Sequence, residues 1–411
     1  MKAYERLLRY AQIHSSSKTR TGRTPSTERQ RRFAERLEQE MTALGLSEVA
    51  TDENAYVYGR LPATEGMEQE PVIALIAHMD TVPDSDFPGE NVKPQQILNY
   101  DGGDVPLGES GRVLSPAMFP ELRKCIGQTL IVTDGTTVLG ADDKAGIAEI
   151  LTACEEIQRE NLPHGTVAVC FTPDEEIGHG ASLLDLKRLG ADWAYTVDGS
   201  GVAELNIETF NAAEARVRFF GVNVHPGEAK NKMRNANLLA MEFHAMLPAA
   251  EQPALTEGYE GFYHLTGLSG TVEEAKARYI VRDHNPQAFE ARLQTLRHAE
   301  KTMNERYGKG TVVLTVRQQY RNMKEVLDRC PEAVQRAENA IRQVGLEPQY
   351  VPIRGGTDGS QLSFRGLPCP NLGTGGEGYH GPYEHITAEN MELAVRVLKN
   401  LVSRTDEAAV S

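Results

Sequence analysis

Apolar and polar positions along the first half of the chain predict strands separated by helices. Short aliphatic runs such as PVIALIA (71–77), GTVAVCF (165–171) and DWAYTV (192–197) have the length and β-branched content of buried strands. Helical spacing covers STERQRRFAERLEQEMTALG (26–45), which begins with capping residues and ends in Gly, and KAGIAEILTACEEIQREN (144–161). Strands that alternate with helices predict an α/β domain with a mostly parallel sheet covered by helices.

The pattern changes near residue 208. Strand 214–224, helix 235–247, strands 261–270 and 276–284, helix 286–308 and strand 311–320 follow in the order βαββαβ, which is typical of a ferredoxin-like α+β domain. We therefore expect one domain built from residues 1–207 and 321–411. Residues 208–320 would be inserted into it as a second domain.

Size and composition support two domains and exclude several classes of partner. A chain of 411 residues exceeds the size at which a single core stops growing. No apolar run is long enough to span a membrane, and the N-terminus lacks the apolar centre of a signal peptide. The net charge of −15 argues against nucleic acid and anionic membranes. Five scattered cysteines without CxxC spacing predict reduced thiols in a cytoplasmic protein.

Acidic residues and a histidine follow the predicted strands at their carboxyl ends. These positions, with the start of the helix at 144, hold His78, Asp80, Asp142, Asp143, Glu175, Glu176 and Asp198. In open parallel sheets ligands bind outside the carboxyl ends of the strands, so these side chains should converge. Converging carboxylates repel one another unless cations neutralise them, and imidazole with carboxylate is a ligand set suited to zinc.

The charge count favours two ions. Asp142, Asp198, Glu176 and one hydroxide would offset two divalent cations, and one neutral histidine would complete each shell. His78 is the first histidine, and Asp80 is placed to accept its ring N–H. The second comes from TGGEGYHGPYEHIT, where we prefer His380 to His385 because the surrounding glycines allow close approach. The remaining histidines are read as ordinary surface or core residues: His14, His164, His179, His244, His264, His284 and His298.

Six segments carry a resemblance: AHMDTVPD, LGADDKAG, TPDEEIGHG, VDGSG, VHPGEAKNKM and RGGTDGSQLSFRGLPCPNLGTGG. Together they resemble the peptidase T family, the tripeptide aminopeptidases among the co-catalytic dizinc exopeptidases, from the N-terminal helix to the last helix. By this resemblance residues 1–207 and 321–411 would form the catalytic domain, and residues 208–320 an inserted lid or dimerisation domain. The resemblance implies one Zn²⁺ on His78, Asp142 and Asp198 and a second on Asp142, Glu176 and His380. It also implies a cis peptide bond between Asp142 and Asp143, and Glu175 as the group that takes the proton of the attacking water.

Three residues are expected to contact the substrate. His225 is as well explained as a turn histidine before Pro226, but the resemblance implies that it stabilises the oxyanion, often across a dimer contact. Arg282 and Arg354 could each serve in an ordinary salt bridge. A peptide's C-terminal carboxylate nevertheless needs a fork of donors, which an acidic protein has to supply locally.

We therefore expect a cytoplasmic dizinc peptidase that releases the N-terminal residue of tripeptides. Its partners would be small peptide substrates and, as the resemblance allows, a second copy in a homodimer. A related dizinc carboxypeptidase, dipeptidase or acylamino-acid hydrolase is the alternative within the enzymes, because these share the metal chemistry. Outside them, the alternative is an inactive peptide-binding relative, which the presence of Glu175 beside a full ligand set disfavours.

Overall fold

The structure is a computed structural model, and it describes residues 1–83 and 87–404. It divides into two compact units. The first comprises Met1–Ile207, Glu325–Val351 and the chain from Thr357 on. The second comprises Glu208–Lys324 and the short segment Pro352–Gly356. The second unit thus holds the segment expected as an insertion, together with residues 321–324 and 352–356.

The helices in the described chain are α1 (Ala3–Tyr10), α2 (Glu28–Ala43), α3 (Ala141–Glu160), α4 (Leu186–Leu189), α5 (Ala236–Ala245), α6 (Pro286–Tyr307), α7 (Lys324–Leu327), α8 (Pro331–Gln343), α9 (Asp358–Phe364) and α10 (Ala388–Val402). None of them, within the two described ranges, has both the length and the apolar composition needed to cross a membrane.

The strands are β1 (Ser47–Thr51), β2 (Val57–Leu61), β3 (Ile73–His78), β4 (Gln95–Ile97), β5 (Val105–Leu107), β6 (Arg112–Leu114), β7 (Leu130–Val132), β8 (Val167–Thr172), β9 (Trp193–Gly199), β10 (Glu204–Asn206), β11 (Asn211–Phe220), β12 (Phe262–Gly270), β13 (Glu274–Asp283), β14 (Val312–Tyr320), β15 (Gln349–Tyr350), β16 (Asn371–Gly373), β17 (Gly376–Glu377) and β18 (His385–Thr387).

The first unit is built on a mixed sheet with the strand order β1-β2-β8-β3-β9-β16-β10-β15. The inner pairs β8/β3, β3/β9 and β9/β16 are parallel, whereas β1/β2, β2/β8 and β16/β10 are antiparallel. One face packs on α1, α2, α3, α8 and α10, and the other packs on α4, α9 and the chain between β8 and α4. The expected α/β class is confirmed, with antiparallel strands toward the edges.

The second unit contains a four-stranded antiparallel sheet with the order β12-β13-β11-β14. Along β11 and β13 the small and apolar residues alternate with charged ones, so one face of this sheet packs on α5 and α6. The βαββαβ order and the strand order give the ferredoxin-like arrangement that the sequence predicts.

Helix α2 begins differently from the predicted cap. Thr27 is its N-cap but makes no side-chain cap hydrogen bond. Its hydroxyl instead donates to the carbonyl oxygen of Ser16, and the hydroxyl of Ser26 donates to Asp174. The two polar side chains before α2 therefore link the N-terminal segment to the loop after β8.

Candidate metal centre

The register of the parallel strands brings the candidate ligands to one edge of the sheet. His78 at the end of β3 lies opposite Thr172 at the end of β8, and Ile76 lies opposite Thr196 on β9. Asp198, two residues after Thr196, is therefore level with His78. Glu175 and Glu176 follow β8 directly in a short 3₁₀ turn. The ends of three neighbouring strands thus supply an imidazole and three carboxylates to the same place.

The His78 ring is held on one side and open to carboxylates on the other. Its Nδ1 lies 2.9 Å from the backbone carbonyl oxygen of Asp80 and 3.5 Å from the Asp80 carboxylate. Its Nε2 lies 2.9 Å from Asp142 Oδ1 and 3.5 Å from Asp198 Oδ1. The closest contact of residue 80 with the ring is therefore through its main chain, and the contact expected of its carboxylate is longer.

Asp142 lies between the two histidines that the sequence singles out. Its Oδ1 faces His78, and its Oδ2 is 2.9 Å from His380 Nε2. The same His380 nitrogen is 3.2 Å from Glu176 Oε2. Asp142 thus offers one oxygen to each half of the site, which is the geometry required of a carboxylate that bridges two cations.

The donor set fits divalent cations. Two groups of residues, His78 with Asp142 and Glu176 and His78 with Asp143 and Asp198, present ligand atoms that all lie within 4.8 Å of one another. The second oxygen of Glu176 is buried and has no hydrogen-bond partner. A buried carboxylate oxygen without a donor is costly, and a metal ion would satisfy it.

Burial and mutual repulsion shift the pKa values of the carboxylates in the cluster. Burial and the nearby charge of Asp142 raise the pKa of Glu176 to about 7. Burial raises the pKa of Glu175 well above its usual value, and Asp358 and Asp198 add to the shift. Against the effect of burial, hydrogen bonds from His380 and His78 hold the pKa of Asp142 below its usual value. Divalent cations would offset this concentration of negative charge.

Buried residues fix the turn that carries Glu175 and Glu176. The carboxylate of Asp80 accepts the backbone N–H of Glu175 at 2.9 Å and that of Glu176 at 3.2 Å. Asp174, in a left-handed conformation with φ of 60°, accepts hydrogen bonds from Ser26 and Gln30. The turn is therefore held from both sides.

A second network fixes the start of α3. Glu384 accepts the backbone N–H of Gly140 at 2.8 Å and that of Asp142 at 3.0 Å, and Asp143 accepts that of His78 at 3.0 Å. The Asp142–Asp143 peptide bond is cis, as the resemblance implied. Gly146 allows α3 to approach β9, because a Cβ there would lie 2.1 Å from the carbonyl oxygen of Val197.

The loop between β17 and β18 places His380 at the site and turns His385 away. The Tyr379 hydroxyl is 3.2 Å from the carbonyl oxygen of Gly199 and 2.9 Å from the Thr374 hydroxyl. His385 is buried, and its Nδ1 lies 2.8 Å from the carbonyl oxygen of Tyr383. Neither group of possible ligands includes His380 or His385, but His380 contacts Asp142 and Glu176, whereas the partner of His385 is a backbone carbonyl.

The three expected substrate contacts lie in the second unit. His225 is exposed, and its Nδ1 accepts the backbone N–H of Gly227 at 3.2 Å in a turn after β11. Arg282 lies on β13, where it donates to the carbonyl oxygens of Ala213 and Val281. Arg354 donates to oxygen atoms of residues 256, 258 and 260. The first unit brings the metal-ligand candidates together, and these three residues form no part of that cluster.

Several residues around the cluster were not singled out from the sequence. Glu384 stands in the quoted loop YHGPYEHIT, where its position between two histidines was the available signal. Gln30 and Ser26 were read only as the start of a helix, and nothing in their spacing indicates contact with Asp174. Asp358 is buried beside the Thr172 hydroxyl, at 2.9 Å, and its other oxygen has no partner.

Comparison with known proteins gives the following matches. The model for peptidase family M20/M25/M40 matches residues 139–404. A peptidase T of Caldanaerobacter subterraneus subsp. tengcongensis is 50% identical over 403 residues, which cover 98% of each chain. The crystal structure of aminopeptidase PepT from Bacillus cereus ATCC 10987 is similar with a TM-score of 0.76 at 25% identity, over 98% of this chain and 97% of that one. A tripeptidase from Staphylococcus aureus subsp. aureus Mu50 gives 0.77 at 25% identity with the same coverage.

Proposed function

The chain belongs to peptidase family M20/M25/M40, and from this membership we propose that it is a metal-dependent aminopeptidase that removes the N-terminal residue of tripeptides. One observation carries the proposal: Asp142 places one carboxylate oxygen at His78 and the other at His380 in a chain 50% identical to a peptidase T. The similarity to the aminopeptidase from B. cereus and to the tripeptidase from S. aureus supports the same substrate class.

We assign two Zn²⁺ ions to the site. His78, Asp142 and Asp198 would hold one, and Asp142, Glu176 and His380 would hold the other. The mixture of imidazole and carboxylate donors supports zinc over magnesium or calcium, which prefer oxygen ligands alone. When bound, such ions supply Lewis acidity and lower the pKa of a water molecule.

Glu175 is the proton carrier in this proposal. It lies next to Glu176, and burial raises its pKa well above the usual value. A carboxyl group with a raised pKa can both accept and return a proton near neutral pH. Glu175 would take the proton of the attacking water and deliver it to the leaving nitrogen. Asp80 holds its main chain in place while it does so.

Arg282 is the residue we propose for the C-terminal carboxylate of the substrate. Arg354 makes four hydrogen bonds to the loop at residues 256–260 and packs over the rings of Phe210 and Phe262. We therefore propose that Arg354 shapes the substrate site by holding this loop, and that His225 donates to the substrate carbonyl oxygen as negative charge develops there.

We also propose a cellular location and an oligomeric state for the protein. The described cysteines are all free, which supports a reducing compartment such as the cytoplasm. A homodimer is the assembly that we propose. Sedimentation that gives a monomer at micromolar concentration would contradict it.

A panel of free, N-acetylated and C-amidated di-, tri- and tetrapeptides tests the function. Protein loaded with Zn²⁺ should cleave free tripeptides fastest and release the N-terminal residue, and a chelator should abolish the reaction. Amidation should lower kcat/KM sharply, because the carboxylate then loses its bidentate partner. Release of the C-terminal residue first would make the protein a carboxypeptidase. Binding without cleavage would make it an inactive relative.

A further inference from the structure

The two units carry charges of opposite sign. The second unit, Glu208–Lys324 with Pro352–Gly356, contains 17 Lys and Arg against 13 Asp and Glu. The rest of the chain contains 26 Lys and Arg against 45 Asp and Glu. The net charge of −15 is therefore the sum of a basic second unit and a strongly acidic first unit.

Six of the 17 basic residues of this unit lie on the open face of its sheet. One face of the sheet packs on α5 and α6, and the other carries the charged residues of β11, β13 and β14 except Asp283, which pairs with Arg292 of α6. We call this second surface the open face. Its cations are Arg216, Arg218, Lys276, Arg278, Arg282 and Arg317. Among the described residues of these strands, its acids are Glu214 and Glu274.

The strand register places like charges directly opposite one another. Arg216 pairs with Arg278 and Arg218 pairs with Lys276 across β11 and β13. Like charges in directly opposed positions destabilise a sheet. Glu274 contacts both Arg218, at 2.8 Å, and Lys276, at 3.7 Å, so one carboxylate serves two cations. The open face keeps an excess of positive charge in spite of this cost.

The row of cations begins at the end of the sheet where the chain connects to the first unit. Ala212, near the start of β11, pairs with both Arg282 and Tyr320, the last residue of β14. From Arg282 the row continues through Arg278 to Lys276. Six residues of extended strand cover about 20 Å, whereas a tripeptide spans at most about 10 Å. The row is thus longer than a tripeptide substrate. A row of this length is better suited to attracting a charged peptide over a distance than to binding it in a fixed pocket.

We propose that the open face guides anionic peptides to the enzyme and gives it a preference for tripeptides with acidic side chains. This inference rests on the proposed peptidase function. The first unit is strongly acidic and would repel such peptides, and the basic face offsets that repulsion locally. Clusters of one charge can raise the local concentration and association rate of an oppositely charged ligand by about 10-fold or more, and salt screens the effect.

The test compares two variants that lose the same charge. The open-face variant carries Arg216→Gln, Arg218→Gln, Lys276→Gln and Arg278→Gln, and leaves Arg282 intact. The control variant carries Arg297→Gln, Lys301→Gln, Arg306→Gln and Lys309→Gln on and just after α6, in the helical layer of the same unit. The side chains of Arg297, Lys301 and Arg306 are 44%, 73% and 60% exposed. Each protein is assayed on Ala-Ala-Ala and on Ala-Glu-Glu from low to high ionic strength.

At low salt the kcat/KM of the open-face variant on Ala-Glu-Glu should fall about tenfold, because KM rises. On Ala-Ala-Ala its kcat/KM should fall less than about twofold. The control variant should match the unmodified protein, and high salt should remove the difference. The single variant Arg278→Gln should show a smaller change in the same direction. The open-face variant should melt close to the unmodified protein, because the substitutions remove opposed like charges and also the exposed ion pairs of Arg218 and Lys276 with Glu274.

Equal losses in both variants would overturn the proposal in favour of net charge alone. Normal cleavage of Ala-Glu-Glu by the open-face variant would overturn it outright. Salt-sensitive binding of a short single-stranded oligonucleotide to this face, with unchanged peptide kinetics, would assign the face to a different ligand. Failure of the unmodified protein and of every variant to cleave Ala-Ala-Ala would instead reject the peptidase function, so the two failures are distinguishable.

Discussion

Replacing Asp80 with Asn separates two roles for this buried carboxylate. From the sequence, Asp80 should orient the His78 ring. In the structure its two oxygens accept the backbone N–H groups of Glu175 and Glu176, at 2.9 and 3.2 Å, while the backbone carbonyl of residue 80 lies closest to the ring. Asp80→Asn leaves that carbonyl in place and removes one of the two carboxylate acceptors.

The expected loss of stability and of rate follows from the hydrogen bonds that change. A hydrogen bond to a charged group contributes about 1.5–3 kcal/mol, so loss of one should lower the free energy of unfolding by about 2 kcal/mol. The new amide would also face a backbone N–H, which should displace the turn that carries Glu175. A displacement of about 1 Å can cost a factor of about 10² in rate, so kcat should fall at least about tenfold.

The assay combines urea unfolding, kinetics on a free tripeptide and elemental analysis of bound metal. The variant should bind as much metal as the unmodified protein, because the His78 ring keeps its main-chain partner. Asp101→Asn is the matched control, since Asp101 also accepts a backbone N–H, from Gly103 at 2.8 Å, but at the surface. Loss of one metal ion from the Asp80 variant, with the turn intact, would refute the reasoning and restore the role of Asp80 at His78.

Three further predictions follow from individual residues. Glu175→Gln should keep both metal ions and lower kcat by about 10²–10⁴-fold, whereas Asp142→Ala should lose metal; a Gln variant with normal kcat would remove Glu175 from its role. Both carboxylate oxygens of Glu149 are buried without a partner, and burial raises its pKa well above the usual 4.5. The folded state then keeps a proton that the unfolded state releases, so stability should fall as pH rises above about 4.5, by up to about 1.4 kcal/mol per pH unit. Glu149→Gln should remove this slope in urea unfolding between pH 5 and pH 8, and parallel curves would contradict it. Tyr379→Phe loses the hydroxyl that contacts Thr374 and Gly199, and should weaken binding of the ion that we assign to His380 about tenfold in calorimetric titration of metal-free protein. Unchanged affinity would show that this contact does not support metal binding.

Helices and strands with a strong periodicity of apolar residues could be predicted from the sequence. Strands β3, β8 and β9 and helices α3, α5 and α6 lie where the spacing of apolar residues predicts them, because that spacing follows directly from the geometry of a strand or a helix. The βαββαβ order likewise identified the ferredoxin-like unit. Short strands such as β16 and β17 were not predicted, since two or three residues carry no measurable period.

His78, Asp142, Glu176 and Asp198 could be named from the sequence because each follows a strand or begins a helix at the same edge of one sheet, whereas His380 was chosen for the glycines around it. Their roles as ligands stay predictions. The contacts that hold them could not be inferred, because Asp80, Glu384 and Gln30 reach backbone groups far along the chain, and no local pattern records such a partner.

The open face of the second unit shows the same limit. Its basic residues are visible in the sequence as ordinary alternating charges on two strands. That Arg216 faces Arg278, and Arg218 faces Lys276, depends on how β11 and β13 align, and a shift of one residue would move every one of these side chains to the other face. The local sequence determines which residues a strand contains, whereas long-range strand pairing determines which of them lie opposite one another.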